Sequence, residues 1–171
     1  MSTPPFKSLV RAGERGPEQS FSHPYNPRSE IHGVMLARMT GLTRTGVNLA
    51  RVPPGKESFV YHVHHGEEEW LYVLSGRGVA EVGGEEHAIG PGDFLGFVPD
   101  GPAHQIRNDG TEDLVYLSGG ENRAVEVADF PRLRRRIVRY GKGQWDFAVY
   151  PMDAEVPLFP KGGGEGRGAA G

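Results

Sequence analysis

Apolar residues in this chain come in short bursts. GVMLARMT (33–40), TGVNLARV (45–52) and ESFVYHVH (57–64) are followed by EWLYVLSG (69–76), GVAEV (78–82) and EEHAI (85–89), then DFLGFV (93–98), HQIRN (104–108) and DLVYLSG (113–119). Each burst is rich in Val, Leu, Ile, Phe or Tyr, and polar residues alternate through several of them. This is the signature of strands with one buried face. Gly and Pro punctuate the boundaries, at Gly76-Arg77-Gly78, Gly83-Gly84, Pro91-Gly92-Asp93, Asp100-Gly101-Pro102 and Asn108-Asp109-Gly110. Strands separated at this rhythm by tight turns predict an antiparallel sandwich or barrel, an all-β class. No amphipathic helix longer than two turns is expected. Glu126–Arg136 is the best helical candidate, and Pro131 interrupts it. Leu133–Arg139 alternates enough for a strand, and Gln144–Tyr150 suits a last one.

The ends read differently. Residues 1–30 are rich in Pro, Ser and Gly and predict an extended arm with one short strand. Phe6, Leu9, Val10, Phe21 and Tyr25 make it too apolar for a free tail, so part of it packs on its own barrel or on a neighbour's. The organisation expected is an arm (1–30), a β-barrel (31–120), a C-terminal segment packing on it (121–160) and a disordered tail (161–171, KGGGEGRGAAG), which has no large apolar side chain.

Composition narrows the partners. With 171 residues the chain makes one domain with a full core, and the 26 Gly and 14 Pro suit many turns. A net charge of −3 gives no reason to expect nucleic acid. No cysteine is present, so any metal must be held by nitrogen and oxygen. No apolar run is long enough to span a bilayer, and the N-terminus lacks a secretory pattern, so a cytoplasmic protein with no membrane partner is the default.

The candidate chemistry lies in YHVHHGEEEWLYVLSG (61–76). His62 and His64 are two apart and leave the same face of a strand. A turn at His65–Glu67 and a return through 68–75 would bring Glu69 towards both imidazoles. His104 follows a Pro-Gly turn and opens HQIRN. Three imidazoles and one carboxylate would then converge, enough to hold one divalent transition metal ion: Fe, Mn, Ni, Co or Zn. His65 points to the opposite face. Glu67 and Glu68 belong to the solvent side of the turn. His87 sits exposed in an outer hairpin, and His23 and His32 are isolated histidines without chemistry. Asn108 caps the turn after its strand.

H-x-H-x4-E-x6-G, filled by His62, His64, Glu69 and Gly76, resembles the first cupin motif. P-x-G-x2-H-x3-N, filled by Pro99, Gly101, His104 and Asn108, resembles the second. The resemblance spans about residues 45–120. It implies a single-domain cupin, a double-stranded β-helix or jelly-roll barrel with a metal inside, without implying one reaction. Phe59, Tyr61, Leu71, Val73, Phe94, Phe97, Ile106 and Tyr116 supply its inner wall. Tyr61, Tyr72 and Tyr116 are candidate acid/base or orienting groups. The function expected is metal-dependent chemistry of oxygenase or isomerase/lyase type on a small organic molecule; the alternatives are a non-catalytic metal-containing binder or sensor and a purely structural metal. The arm suggests a homodimer. Arg132, Arg134, Arg135, Arg136 and Arg139 form either a solvated, salt-bridged face or an anion-binding rim.

Overall fold

The computed structural model of the chain describes residues 7–140 and 146–154. In it the apolar bursts become β1 (Gln19–Phe21), β2 (Ile31–Met35), β3 (Thr45–Val52), β4 (Val63–His64), β5 (Glu69–Ser75), β6 (Gly78–Val82) and β7 (Glu85–Ile89). The chain continues through β8 (Phe94–Phe97), β9 (His104–Arg107), β10 (Leu114–Glu121), β11 (Val125–Phe130), β12 (Arg135–Tyr140) and β13 (Phe147–Pro151). All named pairings are antiparallel: one sheet runs β1-β2-β3-β10-β5-β8, a second β7-β6-β9 and a third β13-β12-β11-β4. This is a jelly-roll barrel with very little helix, the fold that the cupin resemblance implies.

Alternation decides what faces inward. On β5, Leu71 and Val73 are buried while Tyr72 and Leu74 are exposed. On β9, His104 and Ile106 are buried, whereas Gln105 and Arg107 are only partly covered. The core gathers Ile31, Ala50, Val52, Leu71, Val73, Ala80, Ile89, Ile106, Leu114 and Tyr116. Of the aromatics expected inside, Phe97 and Tyr116 are buried, while Phe94 is 65% exposed on the outer side of β8. Asn108 is buried and caps its turn: its Nδ2 donates to the carbonyls of Val52 and Glu112, and its Oδ1 accepts the Gly110 N–H. It therefore ties β3 to the β9–β10 connection.

Three elements differ from expectation. Residues 36–40 are not strand but a one-turn helix, α1 (Leu36–Thr40), closed by Gly41 at φ 79° with Leu42 N–H donating back to Ala37. Thr-Gly here is a helix C-terminus rather than a strand end. Glu126–Arg136 is not helical but β11, a 3-10 turn over Pro131–Leu133, and the first residues of β12. Val125 and Val127 alternate as a strand requires, and Pro131 starts the tight turn. The segment 57–64 is regular only at its end. Glu57 and His62 make isolated bridges to Arg107 and His104, while β4 pairs with β11. β5 belongs to the other sheet, so β4 and β5 do not form the expected hairpin.

The arm packs on its own barrel. β1 pairs with β2, and the Phe21 ring lies 5.2 Å from that of Phe59. The expected tail (161–171), Phe6 and the start of the expected last strand (144–145) lie outside the described residues.

Candidate metal centre

The broken hairpin sets the geometry of the site. Because residues 65–68 cross between sheets, Glu69 faces the histidines across the barrel interior instead of beside them. Its Oε2 lies 3.1 Å from His104 Nε2, 3.3 Å from His64 Nε2 and 3.5 Å from His62 Nε2. Three imidazoles from two chain segments thus converge on one carboxylate oxygen. The His62 and His104 rings are 4.5 Å apart, and the His104 ring stacks on Phe97 at 3.5 Å with 3° between planes.

The outer nitrogens tell which tautomer each ring holds. His62 Nδ1 is 2.8 Å from the Val60 carbonyl oxygen, which can only accept, so Nδ1 carries the proton. His64 Nδ1 is 3.1 Å from Glu126 Oε1. That oxygen already accepts the Gly66 N–H, so His64 Nδ1 is again the donor. As neutral Nδ1–H tautomers, both rings would aim an Nε2 lone pair at the Glu69 oxygen. Lone pairs facing an anionic oxygen repel unless a proton or a cation stands between them. His62, Glu69 and His104 therefore form a candidate cation site, and His64 Nε2 faces the same oxygen. His104 Nδ1 is buried with no hydrogen-bond partner among the described residues, so burial and Phe97 orient that ring instead.

Without a cation, imidazole protons take that place. Burial pushes the Glu69 carboxyl up, but its hydrogen bonds to His104, His62 and His64 hold it well below the usual range. Burial lowers His64, and the carboxylates of Glu69 and Glu126 outweigh that, leaving it raised. Burial lowers His104, and contact with Glu69 only partly offsets it.

A small cavity opens beside Glu69. Phe59, Leu71, Phe97 and Ile106 give it an apolar wall, and Ser58, Gln105, Tyr116 and Ser118 add hydroxyls and an amide. Tyr116 lines it, with its hydroxyl pushed up by burial and by Glu69. Tyr61 and Tyr72 do not line it. Tyr61 lies under the Arg132 guanidinium at 4.1 Å, and Tyr72 is 41% exposed on the outer face of β5.

Glu67 is not on the solvent side of its turn, as the run of three glutamates had implied. It is buried and accepts the Arg123 N–H and the Arg139 guanidinium. Arg132 pairs with Glu81 and Arg136 with Asp129. These three arginines therefore serve pairs within the chain. His87 is exposed as expected.

His65 turns away from the centre. Its Nδ1 is 2.5 Å from Asp100 Oδ1 and its Nε2 2.9 Å from Asp129 Oδ2. Burial lowers His65, but the two carboxylates raise it above its ordinary value. Asp129 is lowered chiefly by its hydrogen bond to Arg136; burial opposes this, and His65 adds a smaller lowering. The raised imidazole contributes stability that is complete below its unfolded value and lost as pH rises through the folded one. The lowered carboxyl contributes stability that is complete above its unfolded value and lost as pH falls through the folded one. This cluster therefore contributes most between roughly pH 4 and 6.5. Asp129→Asn should cost roughly 2–3 kcal/mol there, allowing for the partial exposure of Arg136, and should flatten the pH dependence of the melting temperature on both sides. Thermal denaturation from pH 3 to 9 checks this; an unchanged profile would refute it.

Comparisons with known proteins agree with the fold. Residues 48–119 match the family described as Cupin domain. An oxalate-binding protein of Thermotoga maritima is 33% identical over 112 residues, covering 64% of this chain and 90% of that protein. The crystal structure of a candidate sugar phosphate isomerase from Acidithiobacillus ferrooxidans superposes with a TM-score of 0.84 at 37% identity, covering 90% of this chain and 97% of the other. A sugar phosphate isomerase of the cupin superfamily from Silicibacter pomeroyi gives a TM-score of 0.68 at 27% identity, covering 76% of this chain and 81% of the other. With the fold, the paired motifs and these relatives in agreement, the chain belongs to the cupin family.

Proposed function

We propose that the protein holds one divalent transition metal on His62, His64, Glu69 and His104 and acts there on a small molecule carrying two neighbouring oxygens, by isomerase-type chemistry. The observation that carries this reading is the approach of three Nε2 atoms to within 3.5 Å of a single Glu69 oxygen. When bound, such an ion supplies a Lewis acid that polarises a carbonyl or carboxylate. The chain's own part is to hold and shield the ligand. Phe59, Leu71, Phe97 and Ile106 exclude water from its carbon skeleton, while the Ser58 and Ser118 hydroxyls can donate to its oxygens. The Gln105 N–H groups already donate to Glu57 and to the Phe59 carbonyl, leaving its Oε1 to accept from a ligand hydroxyl.

Gln105 also borders a polar hollow lined by Glu57, Glu81, Arg107 and Arg132. Two cations and two anions balance there, and Arg107 and Arg132 are already engaged by Glu86 and Glu81. That environment suits hydroxyl groups better than a free phosphate. The named activities of the relatives, oxalate binding and sugar phosphate isomerisation, both concern small polyoxygenated molecules and support this substrate class.

A second reading is binding without turnover. It is favoured by the lining beyond the four proposed ligands: two serines, an amide and a tyrosine whose hydroxyl is pushed up by burial. None of these is a base at neutral pH. Calorimetry of manganese-loaded protein against oxalate, a free ketose and a sugar phosphate, followed by isomer analysis of each mixture, tests both readings. Metal-dependent binding with interconversion supports the isomerase, and binding without conversion supports the second reading. Equal binding by metal-free protein would overturn both.

A further inference from the structure

Glu126 lies outside both motifs and beyond residues 48–119, the segment that matches the cupin family. It is 5% exposed, on β11, in a segment whose charges resemble those of a surface helix. Its Oε1 accepts from His64 Nδ1 at 3.1 Å and from the Gly66 N–H at 3.3 Å, while its buried Oε2 has no hydrogen-bond partner among the described residues. A buried carboxyl with one unpartnered oxygen is costly, and packing does not explain retaining it. Its surroundings give the reason. β11 pairs with β4 so that Ala128 stands opposite His64, and the His65 N–H donates to the Val127 carbonyl. Glu126 is thereby aimed at the outer nitrogen of His64, the one proposed histidine ligand that neither a backbone carbonyl nor a stacked ring holds. Among the three rings, His62 is held by the Val60 carbonyl and His104 by Phe97, leaving His64 to Glu126.

We propose that Glu126 is a positioning residue for the metal centre: it fixes His64 as the Nδ1–H tautomer, points Nε2 into the barrel and makes that nitrogen a stronger donor. The inference rests on the metal-binding reading above. It also assigns the C-terminal strands a part in the site, since without β11 nothing among the described residues would set the His64 ring.

The test uses the full chain with Glu126→Ala and Glu126→Gln. The glutamine keeps an acceptor oxygen and removes the charge. Long-range proton–nitrogen NMR on metal-free protein at about pH 9 should find His64 Nδ1 protonated in the parent and in Glu126→Gln, and its proton moved to Nε2, facing Glu69, in Glu126→Ala. Competition with a chromophoric chelator should find metal affinity weakened about 10–100-fold by Glu126→Ala and substantially retained by Glu126→Gln. Should the alanine variant fail to fold, Glu126→Met, of similar length but with no oxygen acceptor, replaces it. An unchanged His64 tautomer in a folded variant without the acceptor, or an affinity within twofold of the parent, would overturn the proposal. If the parent itself takes up no metal, the metal-binding reading fails, while the tautomer measurement still decides whether Glu126 sets His64.

Discussion

Glu69→Gln should abolish metal-dependent stabilisation while leaving the barrel folded. The swap conserves volume and removes only the charge on which three Nε2 atoms converge. In the parent, a metal at one hundred times its dissociation constant should add about 2.7 kcal/mol, by mass action on the folded state. For a chain of this length that amounts to a rise of roughly 5–10 °C in melting temperature. The variant should lose at least about 100-fold in affinity, because one of four donors and the only negative charge among them is gone. Differential scanning fluorimetry with manganese, cobalt, nickel and zinc, each against a chelated control, reads the difference. A full-sized shift in Glu69→Gln would mean that the ion binds elsewhere.

The second large effect is expected at the end of the same strand. Gly76 closes the turn from β5 into β6 at φ 80°, a backbone region that side chains resist. A Cβ there would stand 2.9 Å from Leu114 Cα and well inside contact distance of the Asp113 carbonyl oxygen. Both obstacles are backbone and cannot swing away. Conformational strain and overpacking together should make Gly76→Ala cost about 3 kcal/mol, or roughly 6–12 °C in melting temperature. Urea denaturation checks it, and a loss below about 1 kcal/mol would refute the account. The motif's glycine is thus required by the start of β10, which passes directly against the turn.

Much of this was readable in the sequence because it depends on local pattern. The strands from Glu69 to Ile89, and the one at His104, lie within the expected bursts, and the one from Leu114 outruns its burst by two residues, since alternation and turn residues act over a few positions. The two-residue spacing of His62 and His64 correctly put both rings on one side. The pairing of that segment was not readable, because it depends on partners far along the chain: His62 bridges His104, and His64 pairs with Ala128. Glu67 looked like part of an acidic turn because its partner, Arg139, is 72 positions away. Glu126 was hidden for the same reason. The alternation in VEVADF marks its strand, but nothing nearby marks its carboxyl as belonging with His64.

The crossing at residues 65–68 has a mechanical consequence. Glu69 belongs to the six-stranded sheet and His104 to the three-stranded one, so an ion on both would brace opposite walls of the barrel from within. Amide hydrogens of β5 and β9 should then slow their exchange together when metal is added, although no backbone hydrogen bond joins those strands. Removing the ion would let the two walls breathe separately, with the outer hairpin at Gly83-Gly84 largely unaffected.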